Sequence, residues 1–261
     1  MSELEFLLET ARLAEESDDP SMRHLASPLA LRDYVRMADE TIGLVRAGRL
    51  LDWGCGYGQM SYLLGRRGLD VTSYDVGISL EDARLPFTHG LKAVRGGHPY
   101  SLPFRAGAFD AVLACGVLEH VAHVGRSLEE IRRVLAPGGP LLVYNLPQRS
   151  SYKELLIRRL HLGYAHERTY TESSIRALLD EHGFRVVTVS RSGLLPHLAT
   201  GLPPGARRAY YRVSSRLFPV DRALSRTPVV NLVAESLEVV ATKTPVNPAP
   251  SADRDHSSTR A

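Results

Sequence analysis

The chain has little of what would fasten it covalently, hold it in a membrane or bind it to a polyanion. Of its 32 basic residues only Lys92, Lys153 and Lys243 are lysine. We take this bias toward arginine as a mark of a GC-rich coding genome rather than of function. The formal net charge is only +3, too mild for nucleic acid, which needs basic residues gathered on one face. Two cysteines, Cys55 and Cys115, cannot build a disulfide framework. Each falls at the end of an expected strand and is expected as a small, buried, reduced thiol. No apolar run approaches the roughly 18 residues of a membrane span. The opening Met1–Phe6 is acidic with helical periodicity, unlike a secretory leader. These absences predict a soluble, cytoplasmic protein, with contact to a membrane surface left open. There are no internal repeats.

What remains is ordinary globular composition: 44% hydrophobic and 23% charged residues over 261 positions. That suits one α/β domain, which we place at residues 1–243. Residues 244–261 carry Pro, Ser, Asp and Arg with almost nothing apolar, and are expected to be disordered.

Leu4, Leu7, Leu8, Ala11 and Leu13 mark an amphipathic helix, and a second runs from about Leu29 to Val45 after Pro28. An expected strand at Arg49–Trp53 leads to a helix at Gln59–Arg67, closed by Gly68, and then to a strand at Asp70–Asp75. Residues 79–96 predict a weak helix and a short strand at Lys92–Arg95. Further strands follow at Phe109–Cys115 and Pro140–Asn145, with a helix near Ser127–Leu135 between them. The second half predicts helices at Ser151–Leu160 and from Thr171 to His182. It closes with strands at Phe184–Ser190 and about Ser236–Thr242. The alternation gives a Rossmann-like, seven-stranded, mostly parallel sheet with helices on both faces. Two helices precede it, and residues 193–235 form a lid inserted before the last strand.

The most informative segment is Leu50–Gly58, where an apolar strand runs into D-x-G-x-G-x-G and then a helix. Open α/β sheets bind nucleotides at such a turn, and glycines at alternate positions let the backbone approach a ligand closely. Asp75 ends the next strand, where a carboxylate can grip ribose hydroxyls. A dinucleotide fingerprint would need a third glycine at position 59 or 61, but Gln59 and Ser61 stand there. Asp52 would repel a phosphate and favour a cationic or amino-acid-bearing ligand. The turn therefore suits a nucleoside without a pyrophosphate.

Five segments in order then resemble the class I S-adenosylmethionine-dependent methyltransferases, in the group that holds the small-molecule and quinone enzymes. They are Leu51–Gly58, Asp75, Ser101–Phe104 leading to Phe109-Asp110, Gly116–His120, and Arg133–Gly139. The resemblance covers roughly residues 48–146 and implies S-adenosylmethionine as cofactor. It implies that Gly54, Cys55, Gly56 and Gly58 pass beneath its methionyl part and that Asp52 faces the ammonium through the loop or a water. It further implies that Asp75 holds the ribose, Val76 packs on the adenine edge, and Cys115 and Gly116 line the floor near the sulfonium. Where the family usually has an adenine-reading aspartate, this chain has His98, whose neutral ring could accept the same hydrogen bond. The alternative is an exposed His98 with backbone groups reading the adenine. Asp110 is expected to be structural. Glu119 is expected at a helix start, facing its positive end.

Methyl transfer to a hydroxyl also needs a base titrating near neutral pH. His166, before the Arg168–Thr171 helix entry, is the first candidate for this role and His120 the second. Each also has a plain structural reading as a packed or hydrogen-bonded histidine. No metal is expected. In the lid, Leu194, Leu195, Leu198, Leu202, Tyr210, Tyr211, Val213, Leu217 and Phe218 could wall an acceptor site. Arg207, Arg208, Arg212 and Arg216 fall on one stripe, either recognising an anionic, lipid-like acceptor or simply facing water. The expected activity is methylation of a small or lipid-like acceptor at oxygen. A non-catalytic S-adenosylmethionine-binding regulator is the alternative, and a nicotinamide oxidoreductase is disfavoured by the missing glycine.

Overall fold

Leu50 and Leu51 are adjacent and both fully buried, because successive side chains on a strand point to opposite faces and both faces of this sheet are covered. Leu50 belongs to one core cluster with Leu31, Met37 and Met60, whereas Leu51 belongs to a second with Leu128, Ile131 and Leu179. In a computed structural model of the chain, which describes residues 1–17, 20–45, 47–77, 85, 87–161, 165–199 and 201–245, seven strands form one sheet. They are β1 (Arg49–Trp53), β2 (Asp70–Asp75), β3 (Lys92–Arg95), β4 (Ala111–Cys115), β5 (Pro140–Pro147), β6 (Phe184–Ser192) and β7 (Ser236–Lys243). The order is β3-β2-β1-β4-β5-β7-β6. Strands β1 to β5 run parallel, and β7 is antiparallel to both β5 and β6. The order reverses between β1 and β4, so the carboxyl ends of these two strands border the crevice where such sheets take ligands.

The helices are α1 (Glu3–Glu16), α2 (Pro28–Leu44), α3 (Gln59–Arg66), α4 (Val124–Val134), α5 (Tyr152–Leu160), α6 (Glu172–Glu181), α7 (Pro204–Ser214) and α8 (Phe218–Arg226). Ser2 and Glu5 close a reciprocal cap on α1, and Ser27 caps α2. Phe6 of α1 reaches Tyr62 and Phe87, with ring centroids 5.1 and 5.0 Å away. Helices α7 and α8, with short 3-10 turns, make up the insertion between β6 and β7. Asp221 of α8 receives the Leu194 and Leu195 amides at 2.7 and 2.6 Å, which fixes the loop after β6.

Several boundaries differ from expectation. Phe109 makes an isolated bridge to Leu135 instead of opening β4. Strand β5 continues past Asn145, whose φ of 54° coincides with a register shift between Val143 and Leu146. Such a bulge is not readable from an apolar run. Helix α4 begins at Val124, so Glu119 and His120 sit in a turn before it and do not start the helix. The weak helix expected from residue 79 and the tail from 246 lie outside the described residues.

Arg36 of α2 binds α2 to the sheet. Its guanidinium meets Asp33 at 2.6 Å, Glu40 at 2.6 Å and Glu238 of β7. Asp33 and Glu238 are nearly inaccessible, so removing their shared cation would strand two buried carboxylates. We expect Arg36→Met to lower unfolding free energy by about 3–5 kcal/mol in urea titrations; a loss below about 1 kcal/mol, the worth of a surface pair, would contradict this.

Candidate functional site

The turn after β1 is shaped by main-chain hydrogen bonds. The Gly54 and Cys55 amides both donate to the Tyr74 carbonyl, at 2.8 and 3.1 Å. The Gly56 amide donates to Asp75 Oδ2 at 3.0 Å and the Gly77 amide to Oδ1 at 2.8 Å. The carboxylate at the end of β2 therefore joins the turns that follow β1 and β2. Gly54 has φ 75°, and a β-carbon there would lie 2.6 Å from Val117 Cγ2, so a side chain is excluded twice over. Gly58, with φ 80°, begins α3 and serves the turn itself.

Two cavities adjoin across Gly54, Gly56, Gly116 and His120. One, of ≈ 340 Å³, is walled by Trp53, Tyr74, Asp75, Val76, Pro99 and Val117. It offers apolar faces and one carboxylate, which suits a nucleoside. The other, of ≈ 390 Å³, is reached by Tyr34, Gln59, Cys115, Glu119, Glu154 and His166, among others. Gln59 Oε1 is buried here without a hydrogen-bond partner among the described residues, and so can accept from an ammonium. The residues present thus fit S-adenosylmethionine. Asp75 and Val76 would hold the nucleoside, and Gln59, Cys55 and Gly116 the methionyl side.

Two expected cofactor residues stand elsewhere. Asp52 lines neither cavity. It is buried behind the turn, accepts from Ser61 Oγ at 2.6 Å, and Ser61 in turn accepts from Ser73 at 2.6 Å. Burial pushes its carboxyl up to about 6. Its work is to fasten α3 to β1. His98 is exposed, and its ring stacks on Tyr100 with centroids 5.2 Å apart. Its carbonyl accepts from Tyr74 Oη, but its ring lines neither cavity. Both cysteines line the second cavity, and burial raises both thiols well above their ordinary range, so they are apolar wall.

The two candidate bases do come together, with ring centroids 5.8 Å apart. His166 Nδ1 lies 2.6 Å from Glu154 Oε1, and the His166 amide donates to Glu154 Oε2 at 3.2 Å. Glu154 is buried and was not foreseen. Its signal was ambiguous, since a glutamate three residues after Ser151 reads as a helix cap. His120 lies 3.7 Å from Glu119, whose Oε2 has no partner among the described residues. Burial raises the Glu119 carboxyl to about 8, so it stays protonated at neutral pH. Glu119, His120 and His166 present ligand atoms within 4.8 Å of one another. They could hold a divalent cation once Glu119 is deprotonated, where the sequence led us to expect no metal.

In the lid, Leu198 alone of the expected apolar wall lines the cavity. Arg207, Arg208, Arg212 and Arg216 are all exposed, so the stripe faces water. No described helix is long and apolar enough to cross a membrane.

The raised Glu119 pKa has a definite sign. Below 4.5 both folded and unfolded forms are protonated. Above it the unfolded chain ionises first, so stability falls until the folded form ionises at about 8. We expect the melting temperature of the wild type to fall relative to Glu119→Gln across that window; parallel pH curves would show that the carboxyl is solvated.

The methyltransferase-domain family matches residues 11–189. Over 106 residues the chain is 40% identical to a ubiquinone biosynthesis O-methyltransferase of Caulobacter sp., covering 38% of this chain and 40% of that protein. It is 30% identical over 135 residues to a demethylmenaquinone methyltransferase of Renibacterium salmoninarum, covering 49% and 56%. The chain therefore spans about half the length of these curated relatives. Among solved structures it shares its fold with the 1,6-didemethyltoxoflavin N1-methyltransferase of Burkholderia thailandensis, determined with S-adenosylhomocysteine. The TM-score is 0.53 at 20% identity, over 82% of this chain and 78% of that one. With the family match spanning most of the sequence and the glycine turn, Asp75 and adjoining cavities in place, the chain belongs to the class I S-adenosylmethionine-dependent methyltransferases.

Proposed function

We propose that this chain transfers the methyl group of S-adenosylmethionine to an oxygen of a small organic acceptor in the cavity beside His166. The observation that carries this reading is the Glu154–His166 pair, placed in a cavity that shares a wall with the nucleoside groove. When bound, S-adenosylmethionine supplies a methyl group on a positively charged sulfur. The protein's share is then alignment, exclusion of water and removal of the acceptor's proton. Asp75 lines the nucleoside groove, and a carboxylate there can accept from two ribose hydroxyls. Glu154 at Nδ1 fixes the His166 tautomer whose basic nitrogen is Nε2. This nitrogen would take the acceptor's proton as the carbon–oxygen bond forms.

Oxygen is favoured over nitrogen or carbon by that base, which an amine with a lone pair does not need, and by likeness to an O-methyltransferase. A non-catalytic binder would have no use for a buried carboxylate that orients a histidine. Water-facing lid arginines remove the main argument for an anionic, lipid-like acceptor.

Three outcomes test this. Tritiated methyl from S-adenosylmethionine should enter a small molecule of a cell extract; a chain that binds the cofactor yet never labels a product is not an enzyme of this class. Asp75→Ala should weaken S-adenosylmethionine by about 1.5–3 kcal/mol in calorimetry, the value of hydrogen bonds to a charged group. Unchanged affinity would mean that the ribose lies elsewhere. His166→Ala should slow transfer by about 10²-fold or more with cofactor affinity intact, and equal activity would reduce His166 to a structural residue.

A further inference from the structure

The cavity beside His166 carries four carboxyl groups, Asp33, Glu119, Glu154 and Glu235. Three are accounted for. Glu154 has His166 at 2.6 Å, Glu235 has Lys153 at 2.9 Å, and Glu119 is kept neutral by burial. Asp33 differs. Its Oδ1 takes the Arg36 guanidinium, but its Oδ2 is buried without a partner among the described residues. Arg36 does not neutralise it fully, because Glu40 and Glu238 share the same guanidinium. Arg36, then the His197 ring and Arg222, hold Asp33 in its ionised form against the cost of burial. A second cavity-lining atom is in the same condition: His197 Nε2, on the loop after β6, is also buried without a partner among the described residues. An ionised oxygen and a ring nitrogen, both out of water and both on residues that line one cavity, form a site for a group that donates hydrogen bonds and carries positive charge.

We propose that Asp33 and His197 form the recognition subsite for a protonated amine carried by the methyl acceptor. This rests on the methyltransferase reading and extends it by naming the acceptor's class. Asp33 reaches the cavity from α2, which Arg36 ties to β7, while Glu119 follows β4, with β5 between the two strands. The ammonium at Asp33 and the methyl-receiving oxygen at His166 would be two groups of one acceptor in the shared cavity. The loop carrying His197 is held by the Asp221 carboxylate, so the subsite is formed before the acceptor arrives.

A protonated amine could also come from the cofactor's own methionyl end, so the test separates the two sources. The enzyme is saturated with S-adenosylhomocysteine and probed with n-butylammonium, n-butanol and butyrate by saturation-transfer NMR. We expect a signal for butylammonium and none for butyrate. The butylammonium signal should fall at least about tenfold in Asp33→Asn and by a smaller factor in His197→Ala, with S-adenosylhomocysteine affinity unchanged in both. Melting curves establish that each variant is folded, and His197→Ala carries the test if Asp33→Asn is not. Persistence of the butylammonium signal in the folded variants, or equal binding of butyrate, overturns the proposal. So does a tenfold loss of S-adenosylhomocysteine affinity in Asp33→Asn, which would assign the subsite to the cofactor. A wild-type chain that binds no S-adenosylhomocysteine at all would instead sink the methyltransferase reading.

Discussion

The carboxylate of Asp75 receives the amides of Gly56 and Gly77, and this one contact joins the two turns on which the whole site is built. It sets the distance between the ends of β1 and β2. The backbone at Gly54 then follows, because the Gly54 and Cys55 amides both go to the Tyr74 carbonyl and only a residue without a side chain tolerates the resulting crowding against Val117. The order reversal of the sheet opens a crevice at this place. Asp75 fills it with a charge held in position before any ligand arrives, so little rearrangement is needed on binding.

Around that anchor, similar carboxyl groups are given different tasks by their surroundings. Asp52 is buried against Ser61 and Ser73 and works as a structural fastener. Glu119 is protonated by burial. Glu154 orients a histidine. Asp33 keeps its charge because Arg36 is close, yet presents an oxygen with no partner among the described residues. Charge thus enters the cavity at chosen points, while Cys55 and Cys115 line it as neutral groups.

The sheet was legible because parallel strands buried on both faces read as apolar runs between helical segments, and Asp75 was legible because it ends such a run. What the sequence misled on is what tertiary contacts decide. Asp52 and Asp75 both sit in strand-end motifs, and only packing of α3 shows that one faces inward to Ser61. Of the two readings of His98, adenine reader or exposed residue, its exposed ring stacked on Tyr100 matches the second. In the sequence, Glu154 has the spacing of a helix cap after Ser151, and Asp33 and Arg36 have the i,i+3 spacing of an ordinary surface pair. Their meaning depends on contacts with residues 12 and 202 positions away. The arginines of α7 were legible as a stripe, but a stripe does not announce which side faces water.

The most direct test is a crystal structure with S-adenosylhomocysteine bound. The account predicts both ribose hydroxyls on Asp75, the adenine against Val76, and the amino-acid end beside Gln59, with the sulfur directed into the cavity of His166. A sugar held by any other group, or a vacant groove at saturating ligand, would contradict it.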